Sequence, residues 1–244
     1  MNLIQNLLRK NKKLHFTLID PEDQSPEDVG VIAKECESYG TDAIMIGGST
    51  VKDKNVVYNT VEAIKRAVRI PTILFPNSAD IIPENVDYIF SMILLNSEEL
   101  RFLKGEQLKG SLIVRKFGIG PIPMAYLVIS TSKTPTTVEK SGRLDKIRYD
   151  DIEKAVNYAF MAENFLGSDC IYLEAGSNAE RPVSNEMVKA IRNTIKIPII
   201  VGGGIRDAKT AKEKVRSGAD VIVNGTIIKE DRKKIKEIIE EIKR

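Results

Sequence analysis

The sequence is poor in the side chains that most often bind transition metals or form covalent intermediates. It contains one histidine, two cysteines and no tryptophan. The lone His15 is too little for a histidine-rich metal site or a Ser-His-Asp triad, so we expect it to be structural or solvated. Cys36 and Cys170 stand outside any CxxC pattern and are expected to be buried thiols. Chemistry must therefore depend on carboxylates, hydroxyls, backbone amides and a bound ion.

The sequence also lacks a large excess of either charge and any long apolar run. Its 37 basic residues face 34 acidic ones, giving a net charge of +3, which does not suggest binding to nucleic acid. No stretch reaches the roughly 20 apolar residues of a transmembrane helix, and the N-terminal segment lacks a signal-peptide pattern. We therefore expect a cytoplasmic protein that contacts a membrane only transiently, at its surface.

The sequence does contain a regular alternation of short apolar runs and longer amphipathic stretches. FTLID, DAIMIGG and PTILF alternate with helical patterns, as in the βα units of a parallel sheet. The runs DYIFSM, AYLVIS, DCIYLEAG, IPIIVGGG and ADVIVNG bring the predicted strands to eight. This pattern predicts an α/β fold, a (β/α)8 TIM barrel that occupies residues 1–244 as one domain.

The two halves of the chain also resemble each other at a fixed offset of 127 residues. TDAIMIGGST, from Thr41, aligns with SDCIYLEAGS, from Ser168. AIKRAVRIPTIL, from Ala63, aligns with AIRNTIKIPIIV, from Ala190. Two related half-barrels would leave this pattern, although similar physical demands on neighbouring βα units could produce part of it.

The connection between strands 3 and 4 is irregular. Only PNSADIIPENV separates Phe75 from Asp87, and Pro76 and Pro83 interrupt it. A full outer helix hardly fits in this length. We therefore expect a modified barrel whose outer helix 3 is shortened or missing, with either an apolar groove or a covering loop in its place.

Glycines at the ends of the last two strands predict a phosphate site. VGGGIRD places Gly202, Gly203 and Gly204 just before a predicted helix, and NGT supplies Gly225 and Thr226 after strand 8. Bare backbone amides at a helix N-terminus can approach an anion, and barrel enzymes often hold phosphate after strands 7 and 8. A single glycine run would be weaker evidence, because tight turns also need glycine.

Two carboxylates are expected at the same end of the barrel. Glu174 ends strand 6, where it can accept a proton from a hydroxyl of the bound molecule or form a structural ion pair. Asp20 ends strand 1, close to Ser49 and Thr50 after strand 2. One carboxylate with hydroxyl and diphosphate oxygens suits Mg2+, but Asp-Pro is equally a turn or helix-cap pattern.

Four motifs, LIDPE, GGST, YLEAGS and VGGGIRD, occur in this order along the chain. Together they resemble the geranylgeranylglyceryl phosphate synthase family, which includes heptaprenylglyceryl phosphate synthases, and the likeness covers nearly the whole chain. The resemblance implies transfer of a geranylgeranyl group from geranylgeranyl diphosphate to the C3 hydroxyl of sn-glycerol 1-phosphate. This Mg2+-dependent prenyltransferase step would release diphosphate and serve archaeal-type ether phospholipid biosynthesis.

The resemblance also implies roles for individual residues. Asp20 and Ser49 would bind Mg2+, and Glu174 would be the catalytic base. The positions expected around glycerol 1-phosphate are Tyr172, Leu173, Glu174, Ala175, Gly176, Ser177, Asn178, Gly203, Gly204, Gly225 and Thr226. A polyprenyl diphosphate is the expected second substrate, and a homo-oligomer the expected assembly.

The chain departs from the family pattern at two positions. Leu18 stands where some members carry lysine, and Asn178 stands where glycine is common. The alternatives are a heptaprenylglyceryl phosphate synthase, another phosphate-binding barrel enzyme, and a non-catalytic barrel that binds a phosphoester. YLEAGS, LIDPE and the missing third helix favour the prenyltransferase over the last two.

Overall fold

The chain folds into a closed barrel of eight parallel strands, each paired with the next and the last paired with the first. The computed structural model describes residues 3–136, 139, 140, 142–177 and 179–244. The strands are β1 (Leu14–Ile19), β2 (Ala43–Ile46), β3 (Thr72–Leu74), β4 (Tyr88–Leu94), β5 (Gly120–Val128), β6 (Cys170–Glu174), β7 (Ile199–Gly202) and β8 (Val221–Asn224). The predicted TIM barrel and its eight strands are confirmed.

Helices alternate with most of these strands. The described helices are α1 (Leu3–Lys10), α2 (Pro26–Tyr39), α3 (Lys54–Ala67), α4 (Glu106–Phe117), α5 (Ile152–Asn164), α6 (Asn185–Thr194), α7 (Ala208–Arg216), α8 (Thr226–Glu230) and α9 (Arg232–Lys243). Two shorter elements are a 3-10 turn at Ala79–Ile81 and a π-helical turn at Arg101–Gly105. None of the described helices is long and apolar enough to span a membrane.

Alternating side chains divide the core into two layers. On β6, Cys170 and Tyr172 point into the barrel, whereas Ile171 and Leu173 pack between the sheet and the outer helices. This follows from the two-residue period of a strand, and it places Glu174 on the inner face at the carboxyl end. Cys36 and Cys170 are buried and unpaired, as the sequence predicts.

The offset of 127 residues is preserved in the structure. β2 and β6 begin at Ala43 and Cys170, and β3 and β7 begin at Thr72 and Ile199, so both pairs of starts keep the offset. The helices before β3 and β7 end in the same way. The Val68 amide donates to the Ile64 carbonyl at 3.0 Å, and the Ile195 amide donates to the Ile191 carbonyl at 3.0 Å. The internal repeat therefore includes the ends of these two helices as well as the strands.

The third outer helix is missing, as predicted. In the described segment between β3 and β4, the only helical element is the three-residue 3-10 turn. Helix α4 packs against this turn, and Gly110 permits the approach because a Cβ there would lie 3.0 Å from Ile82 Cδ1. Glu106 joins the two elements by accepting a hydrogen bond from the Ala79 amide at 2.7 Å.

Candidate active site

A single cavity of about 1610 Å3 contains most of the predicted site residues. The predicted residues in its wall are Asp20, Ser49, Tyr172, Glu174, Gly176, Ser177, Gly203, Gly204, Gly225 and Thr226. Leu173 and Ala175 belong to the core between sheet and helices, so only their backbone can face a ligand. Asn178 lies outside the described residues.

The β7 loop brings bare backbone to the cavity. Gly203 and Gly204 have φ angles of +79° and +70°, in the left-handed region that favours glycine. A Cβ on Gly203 would lie 2.4 Å from Glu174 Oε1 and 2.8 Å from the Gly176 nitrogen. Asp207 then caps α7 by accepting a hydrogen bond from the Thr210 amide at 2.7 Å. Close contact with Glu174 and Gly176 thus excludes a side chain at position 203, and the backbone of the loop is left uncovered.

A chain of hydrogen bonds between the sheet and the outer helices reaches this loop. Thr17 donates to Thr41 at 3.1 Å, and the Thr41 hydroxyl lies 2.9 Å from His15 Nδ1. His15 Nε2 lies 3.2 Å from Asn224 Oδ1, and Asn224 Nδ2 donates to the Ile205 carbonyl at 2.8 Å. Because an amide oxygen only accepts, Nε2 carries the proton, and Nδ1 faces the Thr41 hydroxyl, which also donates to the His15 carbonyl at 3.0 Å. The hydrogen bonds from His15 to Asn224 and from Asn224 to Ile205 therefore point toward the β7 loop.

Sequence reasoning did not find this role of Asn224. Burial lowers the pKa of His15 to about 3, so the ring is neutral and donates a single hydrogen bond. This confirms a structural histidine. No local pattern could have paired Asn224 with a residue 209 positions away; only the pairing of β1 with β8 brings them together.

Glu174 is a buried carboxylate held beside the glycine loop. It is 8% exposed, and the Gly176 amide donates to its Oε1 at 2.6 Å. Burial raises the pKa of Glu174, while hydrogen bonds from the Tyr172 hydroxyl and the Gly176 amide act in the opposite direction. Among the described residues no lysine or arginine pairs with Glu174, so the ion-pair alternative is not borne out there. A carboxylate with a raised pKa at a cavity wall suits proton transfer.

Asp20 lies across the cavity at the end of β1. Burial raises the pKa of this half-buried carboxyl, and a hydrogen bond from the Glu22 amide, 3.1 Å long, partly counteracts it. A Cβ on Gly48 would lie 2.4 Å from both Asp20 carboxylate oxygens, so the β2 loop touches Asp20 directly. Ser49 follows Gly48 and is exposed. No group of three or more metal-binding side chains occurs in the described part of the chain.

A lysine from a later element lies near Asp20. Lys229 lines the cavity, forms an ion pair with Asp23, and its positive charge lowers the pKa of Asp20. It lies on α8, which the sequence analysis did not single out. The positive charge on the β1 side of the cavity therefore comes from the element after β8.

The cavity continues as an apolar groove beside β4. Its wall passes from Phe75 and Ile81 to Val114, Ile119 and Pro121. The seven residues of β4 span roughly 23 Å at about 3.3 Å per residue. Of the two alternatives for this side of the barrel, the structure shows the groove.

Comparisons with known proteins find similar sequences over most of the chain. The profile of the PcrB family matches residues 6–242. A geranylgeranylglyceryl phosphate synthase from Pyrococcus horikoshii is 47% identical over 219 residues, covering 90% of this chain and 85% of the relative. One from Thermoplasma volcanium is 45% identical over 229 residues, covering 93% and 89%.

A solved structure is similar over its whole length. It is (S)-3-O-geranylgeranylglyceryl phosphate synthase from Thermoplasma acidophilum in complex with sn-glycerol-1-phosphate. The TM-score is 0.92 at 38% identity, covering 100% of this chain and 99% of that one. Fold and sequence similarity therefore extend along the whole barrel.

We predict that Asn224→Asp weakens anion binding. Aspartate still accepts from His15 but cannot donate to Ile205, and it adds negative charge beside the glycine loops. Inorganic phosphate should bind about tenfold more weakly in isothermal titration calorimetry, equivalent to roughly 1.4 kcal/mol. Asn164→Asp is the matched control, since Asn164 also donates to a carbonyl, that of Phe160, but lies outside the cavity wall. Unchanged affinity in Asn224→Asp would contradict the positioning role.

Proposed function

The chain belongs to the PcrB family, and we propose that it transfers a geranylgeranyl group from geranylgeranyl diphosphate to the C3 hydroxyl of sn-glycerol 1-phosphate. One observation carries this proposal: a continuous cavity joins the glycine loops and Glu174 to a long apolar groove. A small polar substrate alone would not need the groove. The identity to synthases of this activity supports the same assignment.

The phosphate of the acceptor would bind at Gly203, Gly204, Gly225 and Thr226. The β7 loop and the start of α8 contribute Gly203, Gly204, Gly225 and Thr226 to the cavity wall, and a helix N-terminus favours an anion. The wall beside it that would hold the glycerol is formed by Tyr172, Glu174, Gly176 and Ser177. Leu173 and Ala175 would contribute backbone atoms only, and Asn178 stays a prediction.

Glu174 would act on the acceptor hydroxyl. As the C3 oxygen forms a bond to C1 of the prenyl group, the C1–O bond to diphosphate breaks and diphosphate leaves with the electron pair. Glu174 takes the proton released from the C3 hydroxyl. The hydrogen bonds from Tyr172 and Gly176 hold the carboxylate in place for this transfer.

Asp20 and Ser49 fit a Mg2+ site of the open kind. Mg2+ keeps several waters and takes one or two carboxylates plus substrate oxygens, so a larger cluster of protein ligands is not needed. The Asp20 carboxylate and Ser49 both line the cavity, beside Gly48, which lies against the carboxylate oxygens. When bound there, Mg2+ supplies charge that stabilises the departing diphosphate. Lys229 can add a second positive charge on the same side.

The apolar groove would hold the donor tail. Burial of each CH2 is worth about 0.8 kcal/mol, so a long prenyl chain contributes strongly to binding. The synthases at 45% and 47% identity are named for a geranylgeranyl donor, which favours C20 over a heptaprenyl chain. The product would serve ether phospholipid biosynthesis.

We further propose that residues 1–244 act as one domain, because β1 and β8 must pair to close the barrel. Cytoplasmic location and homo-oligomeric assembly stay predictions from the sequence.

The first prediction for this function concerns substrate choice. A phosphate fixed at β7 and β8 and a base fixed on β6 allow one placement of the chiral carbon. We expect sn-glycerol 1-phosphate to give a much higher kcat/KM than glycerol 3-phosphate, and geranylgeranyl diphosphate to exceed heptaprenyl diphosphate. Labelled acceptor extracted into organic solvent measures both. Equal kcat/KM for the two enantiomers would refute this geometry.

The second prediction concerns the ion. Asp20→Asn removes the charge that would anchor Mg2+ without opening a core cavity, so most activity should be lost while the unfolding curve is retained. EDTA should abolish wild-type turnover and Mg2+ should restore it. Asp150→Asn, at an exposed position outside the cavity wall, is the control. Full turnover by metal-free protein would exclude the Mg2+ assignment.

The third prediction separates catalysis from structure at Glu174. Glu174→Gln keeps the shape but cannot take a proton, so kcat should fall at least about 100-fold while sn-glycerol 1-phosphate still binds in calorimetry. Glu186→Gln, on an exposed turn of α6, should leave kcat unchanged. Near-normal kcat in Glu174→Gln would make this carboxylate structural only.

The same variant predicts a change in stability with pH. The raised pKa of Glu174 means that the folded state binds its proton more tightly than the unfolded state. Stability from this group is therefore present below the unfolded pKa and is lost as pH rises through the folded pKa. Glu174→Gln should remove that loss and unfold at a higher urea concentration than wild type at neutral pH. An unchanged or lower urea midpoint at neutral pH would count against this.

A further inference from the structure

The outward side of α4 exposes large apolar side chains. Leu108 and Leu112 are 76% and 65% exposed, and Leu100, just before the helix, is 67% exposed. Leu108 and Leu112 are four residues apart and so lie on one helix face. Single exposed leucines are ordinary, but several on one element indicate an interaction surface.

Positive charge surrounds these apolar side chains. Residues 100–117 contain five basic residues and one acidic residue, giving the segment a net charge of +4, and one of the five, Lys109, is paired with Asp80. The acidic one, Glu106, is turned toward the Ala79 amide and Arg101. Lys104 and Lys116 flank the leucines along the helix. Exposed leucine with surrounding lysine is the composition of a helix that lies in the surface of an anionic bilayer.

The opposite side of the same helix lines the apolar groove. Gln107, Gly110, Ser111 and Val114 belong to the cavity wall, whereas Leu108 and Leu112 do not. One helix therefore separates the groove from the outward surface. A bilayer in contact with that surface would lie one helix thickness from the place where the lipid tail is to bind.

We propose that the α4 outer face, formed by Leu100, Lys104, Leu108, Leu112, Lys116 and Phe117, docks on an anionic lipid bilayer. The leucines insert among the acyl chains, and the lysines bind the headgroup phosphates. This deepens the proposed function, because the donor and the product are both amphiphiles that partition into membranes. Docking itself does not require that function.

Charge favours a bilayer over a second copy of the chain. In a two-fold symmetric contact the same patch meets itself, so two segments of charge +4 would face each other. Like charges in an interface are unfavourable. An anionic surface instead complements the same charges.

A second exposed apolar patch provides a matched control. Phe165 is 75% exposed and Leu166 is 46% exposed, at the end of α5. Residues 152–166 carry two acidic residues and one basic residue, giving a net charge of −1. This patch has comparable apolar exposure without the positive charge.

Vesicle co-sedimentation with the full chain tests the proposal. Wild type should bind phosphatidylglycerol vesicles, bind phosphatidylcholine vesicles weakly, and lose affinity as NaCl increases. The double variant Leu108→Gln/Leu112→Gln should bind phosphatidylglycerol at least about tenfold more weakly, since two leucines no longer insert. The control Phe165→Gln/Leu166→Gln should bind like wild type.

Activity separates docking from the proposed function. With soluble geranyl diphosphate as donor, Leu108→Gln/Leu112→Gln should match wild type, because neither residue lines the cavity. With geranylgeranyl diphosphate embedded in vesicles, its rate should fall. If wild type transfers no prenyl group but binds vesicles as described, the proposed function fails and docking stands.

Three results would overturn the docking proposal. The first is that wild type does not sediment with phosphatidylglycerol vesicles. The second is that the leucine variant binds these vesicles as well as wild type does. The third is that light scattering after gel filtration, without lipid, shows an oligomer for wild type that the leucine variant no longer forms. That result would assign the face to a second copy of the chain.

Discussion

The contact between the ends of β6 and β7 is the constraint on which the site depends. Glu174 and Gly202 are register partners, and the next residue, Gly203, has no space for a side chain because Glu174 Oε1 and the Gly176 nitrogen occupy it. This contact buries the carboxylate, raises its pKa and exposes the backbone amides of the β7 loop together. The proposed base and the proposed anion site thus depend on one close approach. A larger residue at position 203 would disturb both.

On the other side of the barrel, the missing third helix leaves space open, whereas the contact between β6 and β7 fills it. Where a full outer helix would cover β3 and β4, the 3-10 turn leaves apolar strand surface open to a groove. Helix α4 closes that groove from outside, held by Glu106 at the turn and by the ion pair of Lys109 with Asp80. Because α4 packs Ile113 and Val114 against the core and carries exposed leucines on its outward side, it has hydrophobic residues on both faces. An ordinary barrel helix would show solvent a polar face.

The sequence was sufficient for the barrel because its signals are periodic and local. Eight apolar runs, the short connection after Phe75 and the glycines at 203, 204 and 225 all lie within a few residues of the structure they specify. The hydrogen-bond chain from His15 to Asn224 and the placement of Lys229 could not be predicted in this way. Both depend on the closure of the barrel between β1 and β8, which joins residues about 200 positions apart. Long-range register, more than residue type, was the missing information.

The internal repeat shows how one scaffold carries two kinds of chemistry. At the offset of 127 residues, Gly47 corresponds to Glu174, and Phe75 corresponds to Gly202. In the first half the Phe75 ring stands at the end of β3, and the facing position just after β2 is Gly47. The Phe75 carbonyl fills the space where a Cβ of Gly47 would lie. In the second half the carboxylate stands on β6 and the glycine has moved to β7, against the Tyr172 hydroxyl. In the first half the side chain is therefore carried at the end of β3, and in the second half it is carried by β6. The Phe75 ring also packs 5.7 Å from that of Tyr172, between centroids, so the two halves of the barrel are in contact at the cavity wall.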